Sequence, residues 1–167
     1  MTRRPQRIVP GPGQESAWEY PRPPAVRPTP RHVLVRFGDV TVAETRRALR
    51  VLETAGAPTW YLPSEDVRME LLRPSVGRGT VCEWKGSATY FDLVVGDRIS
   101  PRAAWTYVRP SPGYEALAGM VAFYAGRVDA AAVDGEAVRP QPGGFYGGWV
   151  TDDVVGPFKG EPGTEGW

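Results

Sequence analysis

The sequence predicts a mainly β domain of the α+β class: a compact antiparallel sheet domain, barrel-like in outline, with one short helix. Apolar and polar residues alternate along 32–37, 89–95 and 102–107, as they do in strands that bury one face. The pairs Gly38-Asp39 and Gly96-Asp97 follow the first two of these runs and are typical of hairpin turns. These observations favour antiparallel neighbours over parallel crossovers.

Seven segments are predicted strands, separated by glycine, aspartate or proline: 32–37, 40–43, 59–62, 89–95, 98–108, 120–124 and 128–133. Residues 45–53 differ, because Ala48, Leu49 and Leu52 form an apolar stripe at helical spacing. They predict the one short helix, ended by Gly56. The turn Gly77-Arg78-Gly79 leads the chain into its central stretch.

The 20 glycines and 18 prolines of the 167 residues crowd the two ends of the chain. We therefore expect a flexible N-terminal tail over 1–14 and a single β domain over 15–138. A C-terminal extension rich in glycine, proline and aromatic residues follows over 139–167. Either its rings hold an irregular backbone, or it is an ordered tail that lies on a neighbour.

Composition excludes several classes of protein. A net charge of +1 argues against a nucleic-acid partner, since such proteins carry a clear basic excess. One cysteine excludes an intramolecular disulfide and an all-cysteine zinc site, so we expect no metal and no cofactor. No apolar run reaches the ~20 residues of a membrane span. We expect a cytoplasmic protein without a membrane partner, either a monomer or a homodimer.

The stretch 81–90 gathers reactive side chains where a turn feeds a strand. Lys85 lies between a tryptophan and a glycine, and at the mouth of an apolar site its amine could act as nucleophile or general base. The alternative is a surface lysine paired with Glu83. Cys82 is expected to be buried and inert, because the single histidine, His32, lies on a distant strand.

Aromatic residues elsewhere predict a pocket beside this stretch. Trp105 and Tyr107 share one face of a strand, and Tyr61 is the third expected ligand-binding wall. The expected catalytic groups are Lys85, Asp66 and Tyr90. For Asp66 the alternative is a helix-start carboxylate satisfied by backbone, and for Tyr90 a hydrogen bond within the sheet.

Three arginines, Arg46, Arg47 and Arg50, would lie close together on the predicted helix and could hold a phosphate or carboxylate. Arg50 is therefore a further ligand-binding candidate. The alternative is a solvated face balanced by Glu44 and Glu53.

Six segments together resemble the markers of the DUF427 family, and they are 18–23, 45–53, 63–67, 82–90, 104–107 and 122–124. The resemblance extends over roughly 15–138. It implies a compact, mainly antiparallel β domain similar to the β-tent folds. One label of the family suggests nucleotidyltransferases, although its members form a domain of unknown function. Relatives of the β-tent architecture often hold zinc between paired cysteines, and Cys82 has no such partner.

The function expected from these residues is the binding of a small organic molecule in an aromatic pocket. One version is an enzyme that needs no cofactor and carries out acid/base or amine-assisted condensation or cyclisation. The alternatives are a non-catalytic ligand-binding module or sensor and a nucleotide- or phosphate-handling protein. GxxxxGK, GxGxxG, HExxH and GxSxG patterns are absent, which removes the usual support for ATPases, dinucleotide enzymes, metalloproteases and serine hydrolases.

Overall fold

Short strands dominate the computed structural model, which describes residues 4–77, 79–82 and 84–167. This confirms the predicted mainly β fold. Arg78 of the predicted turn and Glu83, the suggested partner of Lys85, lie outside the described residues, as does the start of the predicted tail at 1–3.

The strands of the described residues are β1 (Glu15–Ser16), β2 (Ala25–Thr29), β3 (Val33–Phe37), β4 (Val40–Thr45), β5 (Ala48–Leu52), β6 (Thr59–Tyr61), β7 (Leu72–Pro74), β8 (Thr80–Cys82), β9 (Gly86–Val95), β10 (Arg98–Thr106), β11 (Val121–Phe123), β12 (Ala130–Val133), β13 (Glu136–Ala137), β14 (Arg139–Pro140), β15 (Trp149–Val150) and β16 (Val154–Val155). Single turns of 3-10 helix lie between them, at Ala17–Glu19, Ser64–Asp66, Met69–Leu71, Glu115–Leu117 and Ala125–Arg127.

Three antiparallel sheets carry most of these strands. Their strand orders are β13-β12-β3-β4, β2-β5-β6 and β11-β10-β9-β7, and β8 also pairs with β9. Two small pairs complete the pattern, the antiparallel β14–β15 and the parallel β1–β16. Within the described residues no sheet closes into a barrel. None of the helices in this part of the chain is long and apolar enough to cross a membrane.

The two hairpins predicted from glycine–aspartate pairs are confirmed. β3 and β4 pair from Val33 opposite Thr45 to Phe37 opposite Val40. Gly38 and Asp39 join them with φ of 58° and 61°, the left-handed conformation that two-residue hairpin turns require. β9 and β10 form the second hairpin, and their register shifts between Ser100 and Ala104 before it continues toward Trp105.

The helix predicted over 45–53 is wrong, because β5 forms there as the middle strand of its sheet. Arg50 pairs with Arg27 of β2 on one side and with Trp60 of β6 on the other. A strand that has hydrogen-bonded neighbours at both edges and apolar residues on both faces shows no alternation in its sequence. Its short apolar run cannot be distinguished from a buried helix by periodicity alone. Pairing with two strands outweighs the helical spacing of the leucines.

Two of the three apolar clusters among the described residues are large. The larger one includes Trp60 and Trp149, whose rings stack with centroids 6.0 Å apart. Trp149 belongs to the C-terminal segment, and its indole N–H donates a hydrogen bond of 2.8 Å to the carbonyl of Phe123. The segment therefore packs against the sheets of its own chain. The smaller cluster is mostly aromatic and surrounds the site described next.

Candidate functional site

A cavity of about 160 Å³ opens beside the aromatic cluster. Its walls come from the β5–β6 region, from β8 and β9, from β10, and from the C-terminal segment. The residues that line it are Val51, Glu53, Gly56, Ala57, Thr59, Tyr61, Thr80, Val81, Cys82, Lys85, Tyr90, Trp105, Tyr107, Tyr124, Gln141, Phe145, Tyr146, Gly147 and Lys159.

Three predicted aromatic residues lie together on one wall. The indole N–H of Trp105 donates to the Tyr61 hydroxyl at 3.2 Å, and the two rings meet edge to face. Tyr107 follows two residues along from Trp105, so strand geometry directs it to the same side, with its ring 6.2 Å from that of Tyr61. The structure thus brings the three predicted walls into one cavity, and their contact with a ligand stays a prediction.

Tyr90 and Tyr124 extend this aromatic wall. The hydroxyl of Tyr90 hydrogen-bonds that of Thr80 at 2.7 Å, and the hydroxyl of Tyr124 donates to the carbonyl of Phe145 at 2.9 Å. The Tyr124 ring also lies 4.6 Å from the Trp105 ring. Tyr90 also lines the cavity. Tyr124, the residue after β11, connects that strand to the C-terminal segment through its hydrogen bond.

The enclosed phenols stay protonated near neutral pH. Burial raises the pKa of Tyr61 well above its ordinary value, and burial also raises the pKa of Tyr107 and of Tyr124. As neutral hydroxyls they donate and accept hydrogen bonds. The wall they form is consequently polar at a few points but carries no negative charge.

Both lysines of the chain line this cavity. The sequence contains 18 arginines and two lysines, Lys85 and Lys159. Lys85 is half-buried, whereas the side chain of Lys159 is 13% exposed. The Nζ atom of Lys159 lies 4.0 Å from Oε1 of Glu53 and 4.9 Å from the ring centroid of Tyr146. An amine, a carboxylate and an aromatic face thus meet at one end of the cavity.

Burial lowers the pKa of Lys159, and the positive charges of Arg22 and Lys85 act in the same direction. The carboxylate of Glu53 opposes the shift, but the loss of hydration is the larger effect. A larger fraction of this amine is therefore neutral, and nucleophilic, than for a lysine in water.

The backbone around Lys159 is fixed from two sides. Its N–H donates to the carbonyl of Ala55 at 2.9 Å, and its carbonyl accepts from Nε2 of Gln141 at 3.0 Å. The other end of the Gln141 amide accepts from the N–H of Ala57. A β-carbon on Gly160 would lie 1.9 Å from the carbonyl oxygen of Pro142, so only glycine permits this close approach. Lys159 is thereby held on a rigid part of the wall.

Asp66 and Arg50, two other predicted site residues, do not line the cavity. The Asp66 carboxylate accepts from the Thr45 hydroxyl at 2.7 Å and from Nη2 of Arg47 at 3.1 Å. The hydrogen bond from Thr45, followed by that from Arg47, lowers the pKa of Asp66. Arg50 forms an ion pair with Glu15 at 3.2 Å. The expected convergence of Asp66 on Lys85 and Tyr90 is wrong, because Thr45 and Arg47 hold its carboxylate away from the cavity. The arginine cluster is wrong because it assumed a helix where β5 lies.

Cys82 also differs from the expectation of full burial, since it is half-buried and lines the cavity.

Sequence reasoning missed Lys159 and its neighbour Glu53. A signal for Lys159 exists, because both lysines of this arginine-rich chain directly precede a glycine, in Lys85-Gly86 and Lys159-Gly160.

Among the described residues, no group of three or more histidine, cysteine, aspartate or glutamate side chains could hold a metal ion.

One comparison with known proteins gave a match. The model of a family described as a domain of unknown function (DUF427) matches residues 25–134. The comparison with curated proteins found no match. The matched region includes Tyr61, Lys85, Tyr90 and Trp105, but it ends before the C-terminal wall of the cavity.

Proposed function

Since the chain belongs to the DUF427 family, whose description assigns no activity, we propose from the site itself that the protein binds a small planar organic molecule. The observation that carries this proposal is the aromatic cavity that contains both lysines of the chain. Flat rings bind planar ligands by stacking and edge contacts, while ammonium groups bind a carboxylate or carbonyl oxygen.

The size of the cavity limits the ligand. Cavities of about 150 Å³ accommodate one benzene ring, and this one measures about 160 Å³. The fitting class is therefore a molecule with one aromatic ring and an oxygen-bearing substituent. The ring would lie against Trp105 and Tyr107, with its substituent toward Lys85 and Lys159.

Two versions of this function use the same contacts. In a non-catalytic module or sensor, the protein binds the ligand and releases it unchanged. In an enzyme without a cofactor, Lys159 and Glu53 supply an amine and a carboxylate for acid/base or amine-assisted condensation or cyclisation, with Lys85 and Tyr90 as further polar groups. Nucleotide handling has less support, because Arg47 and Arg50 are engaged by Asp66 and Glu15.

Binding of benzoate and of benzyl alcohol tests the proposal. Isothermal titration should detect both, and Lys85→Met should weaken benzoate by about tenfold, the effect of losing one charge-assisted hydrogen bond of about 1.5 kcal/mol. Affinity for neutral benzyl alcohol should be retained. Arg46→Met is the matched control, since it removes one positive charge from an exposed residue that does not line the cavity.

The proposal fails if neither probe binds. It also fails if Arg46→Met weakens benzoate as much as Lys85→Met does, because a general charge effect would then explain the result. If neither probe binds, the aromatic residues would be core alone.

A further inference from the structure

The end of the cavity formed by Lys159 differs chemically from the end formed by Lys85. The Lys159 side chain is 13% exposed and has the Glu53 carboxylate beside it, whereas Lys85 follows Trp84 and directly precedes β9. From the enclosed amine, its neighbouring carboxylate and the aromatic walls, we infer that Lys159 forms an imine with a small aromatic aldehyde or ketone. This inference rests on the proposed function, and it names the class of ligand and the atom that reacts.

The geometry places every group that the reaction needs. The ring of the carbonyl compound would lie against Trp105 and Tyr107, and Lys159 lines the same cavity with its Nζ over the Tyr146 ring, 4.9 Å from the centroid. Glu53 Oε1 lies 4.0 Å from the same Nζ atom. This separation allows proton transfer through one water molecule or after a small movement of the side chain. Hydrogen bonds to Ala55 and Gln141 hold the backbone of Lys159.

The amine must be neutral to attack, and its surroundings favour that form. Burial acts against the ammonium ion, and the nearby positive charge of Lys85 adds to this effect. The carboxylate of Glu53 favours the ammonium ion, but at 4.0 Å it does not overcome the loss of hydration. Lys159 is assigned because it combines this environment with the Glu53 carboxylate 4.0 Å away and the Tyr146 ring 4.9 Å away.

The reaction balances without an oxidant or a reductant. The lone pair of Nζ forms a bond to the carbonyl carbon, and the π electrons of the carbonyl move to its oxygen. Glu53 takes a proton from the nitrogen and returns a proton to the oxygen, which gives a neutral carbinolamine. The nitrogen lone pair then expels the hydroxyl group, and Glu53 transfers the remaining N–H proton to the departing oxygen, which leaves as water. The products are one C=N bond and one water molecule.

Reductive trapping tests this inference on the whole chain. The protein is incubated with benzaldehyde and sodium cyanoborohydride, its intact mass is measured, and the modified residue is located by proteolysis and mass spectrometry. We expect one reduced adduct, on Lys159. The chain has two lysines and one N-terminal amine, so few other amines could carry the adduct.

Variants separate the roles of the groups. Lys159→Met and Lys159→Arg should both abolish the adduct, and Arg46→Met, at an exposed residue outside the cavity, should retain it. Glu53→Gln should slow trapping by on the order of a hundredfold, the lower range for general acid–base assistance. Since the wild-type map alone identifies the reactive amine, the test stands even where a variant fails to fold.

Titration with benzyl alcohol runs in parallel, because it reports binding without a carbonyl group. If benzyl alcohol binds and benzaldehyde is not trapped, the imine is overturned and the binding function stands. Equal labelling of Lys85, Lys159 and the N-terminus also overturns it. If neither probe binds, the imine and the binding function are both overturned.

Discussion

A β-carbon added to Gly147 would lie 2.0 Å from Cη2 of Trp105, so the indole ring rests directly on the backbone of that glycine. The Gly147→Ala variant must therefore push Trp105 toward the cavity. We expect a loss of about 1–3 kcal/mol in the free energy of unfolding, typical of overpacking, together with weaker benzoate binding. Denaturant unfolding and titration measure the two effects.

Gly126→Ala is the matched control for that experiment. Its added β-carbon would meet only ordinary contacts, the nearest being Cγ of Pro140 at 3.7 Å. Equal stability of the two variants would show that Trp105 does not pack on residue 147 as the structure describes.

The Asp66→Asn variant distinguishes a structural carboxylate from a catalytic one. Asp66 accepts hydrogen bonds from Thr45 and Arg47, and the Arg47 side chain is 63% exposed, so solvent weakens the ion pair. We expect unfolding to become easier by about 0.5–1 kcal/mol, while the affinity for benzoate stays unchanged. Loss of binding in this variant would return Asp66 to the site.

The hydroxyl of Tyr124 should control the mobility of the C-terminal wall. Tyr124→Phe removes the hydrogen bond to the carbonyl of Phe145, so we expect faster amide hydrogen exchange over 143–148 and a stability loss of about 1 kcal/mol. Tyr114→Phe is the control, because that hydroxyl also donates 2.9 Å to a carbonyl, of Pro24, but does so away from the cavity. Unchanged exchange over 143–148 in Tyr124→Phe would contradict the prediction.

Alkaline pH should destabilise the protein through its buried phenols. Burial raises the pKa of Tyr20, Tyr61, Tyr107 and Tyr124 in the folded state, whereas unfolded tyrosines ionise near pH ~10. Above that pH the folded state binds more protons than the unfolded state, so the free energy of unfolding falls as pH rises. The stabilisation is fully present below pH ~10.

Denaturant unfolding from about pH 8 to about pH 11 measures this dependence. Lys159 contributes with the opposite sign, because its pKa is lowered on folding. Its contribution makes the free energy of unfolding rise as pH rises toward ~10. Lys159→Met should remove that rise and leave the alkaline fall. A flat profile in the wild type above pH ~10 would mean that the phenols ionise freely in the folded protein.

Local patterns in the sequence predict the hairpins and part of the site. Gly38 and Asp39 specify a turn through their own backbone preferences, and Trp105 and Tyr107 share a face because strand side chains repeat every two residues. The same reasoning fails at β5, where apolar spacing fits a helix but two neighbouring strands decide the structure. The misplacement of Arg50 follows from that error, whereas Asp66 lies on the predicted turn but its carboxylate is held by Thr45 and Arg47.

Lys159 was beyond local reasoning for a different reason. The position of Lys159 in the cavity wall depends on contacts with Ala55 and Gln141, which are distant from it in the sequence. No periodic pattern encodes such contacts. Only the repeated Lys-Gly pair gives a hint. Proximity of Lys159 to Glu53 is likewise a property of the folded chain.

The cavity has a composite origin. The family match over 25–134 covers the strands and one set of walls, while Gln141, Tyr146 and Lys159 come from the chain beyond it. Sequence likeness over the matched region therefore transfers the sheets and their aromatic wall, but not the enclosed amine. A change at Lys159 or Tyr146 can therefore alter the chemistry of the cavity without changing the region that the family match covers.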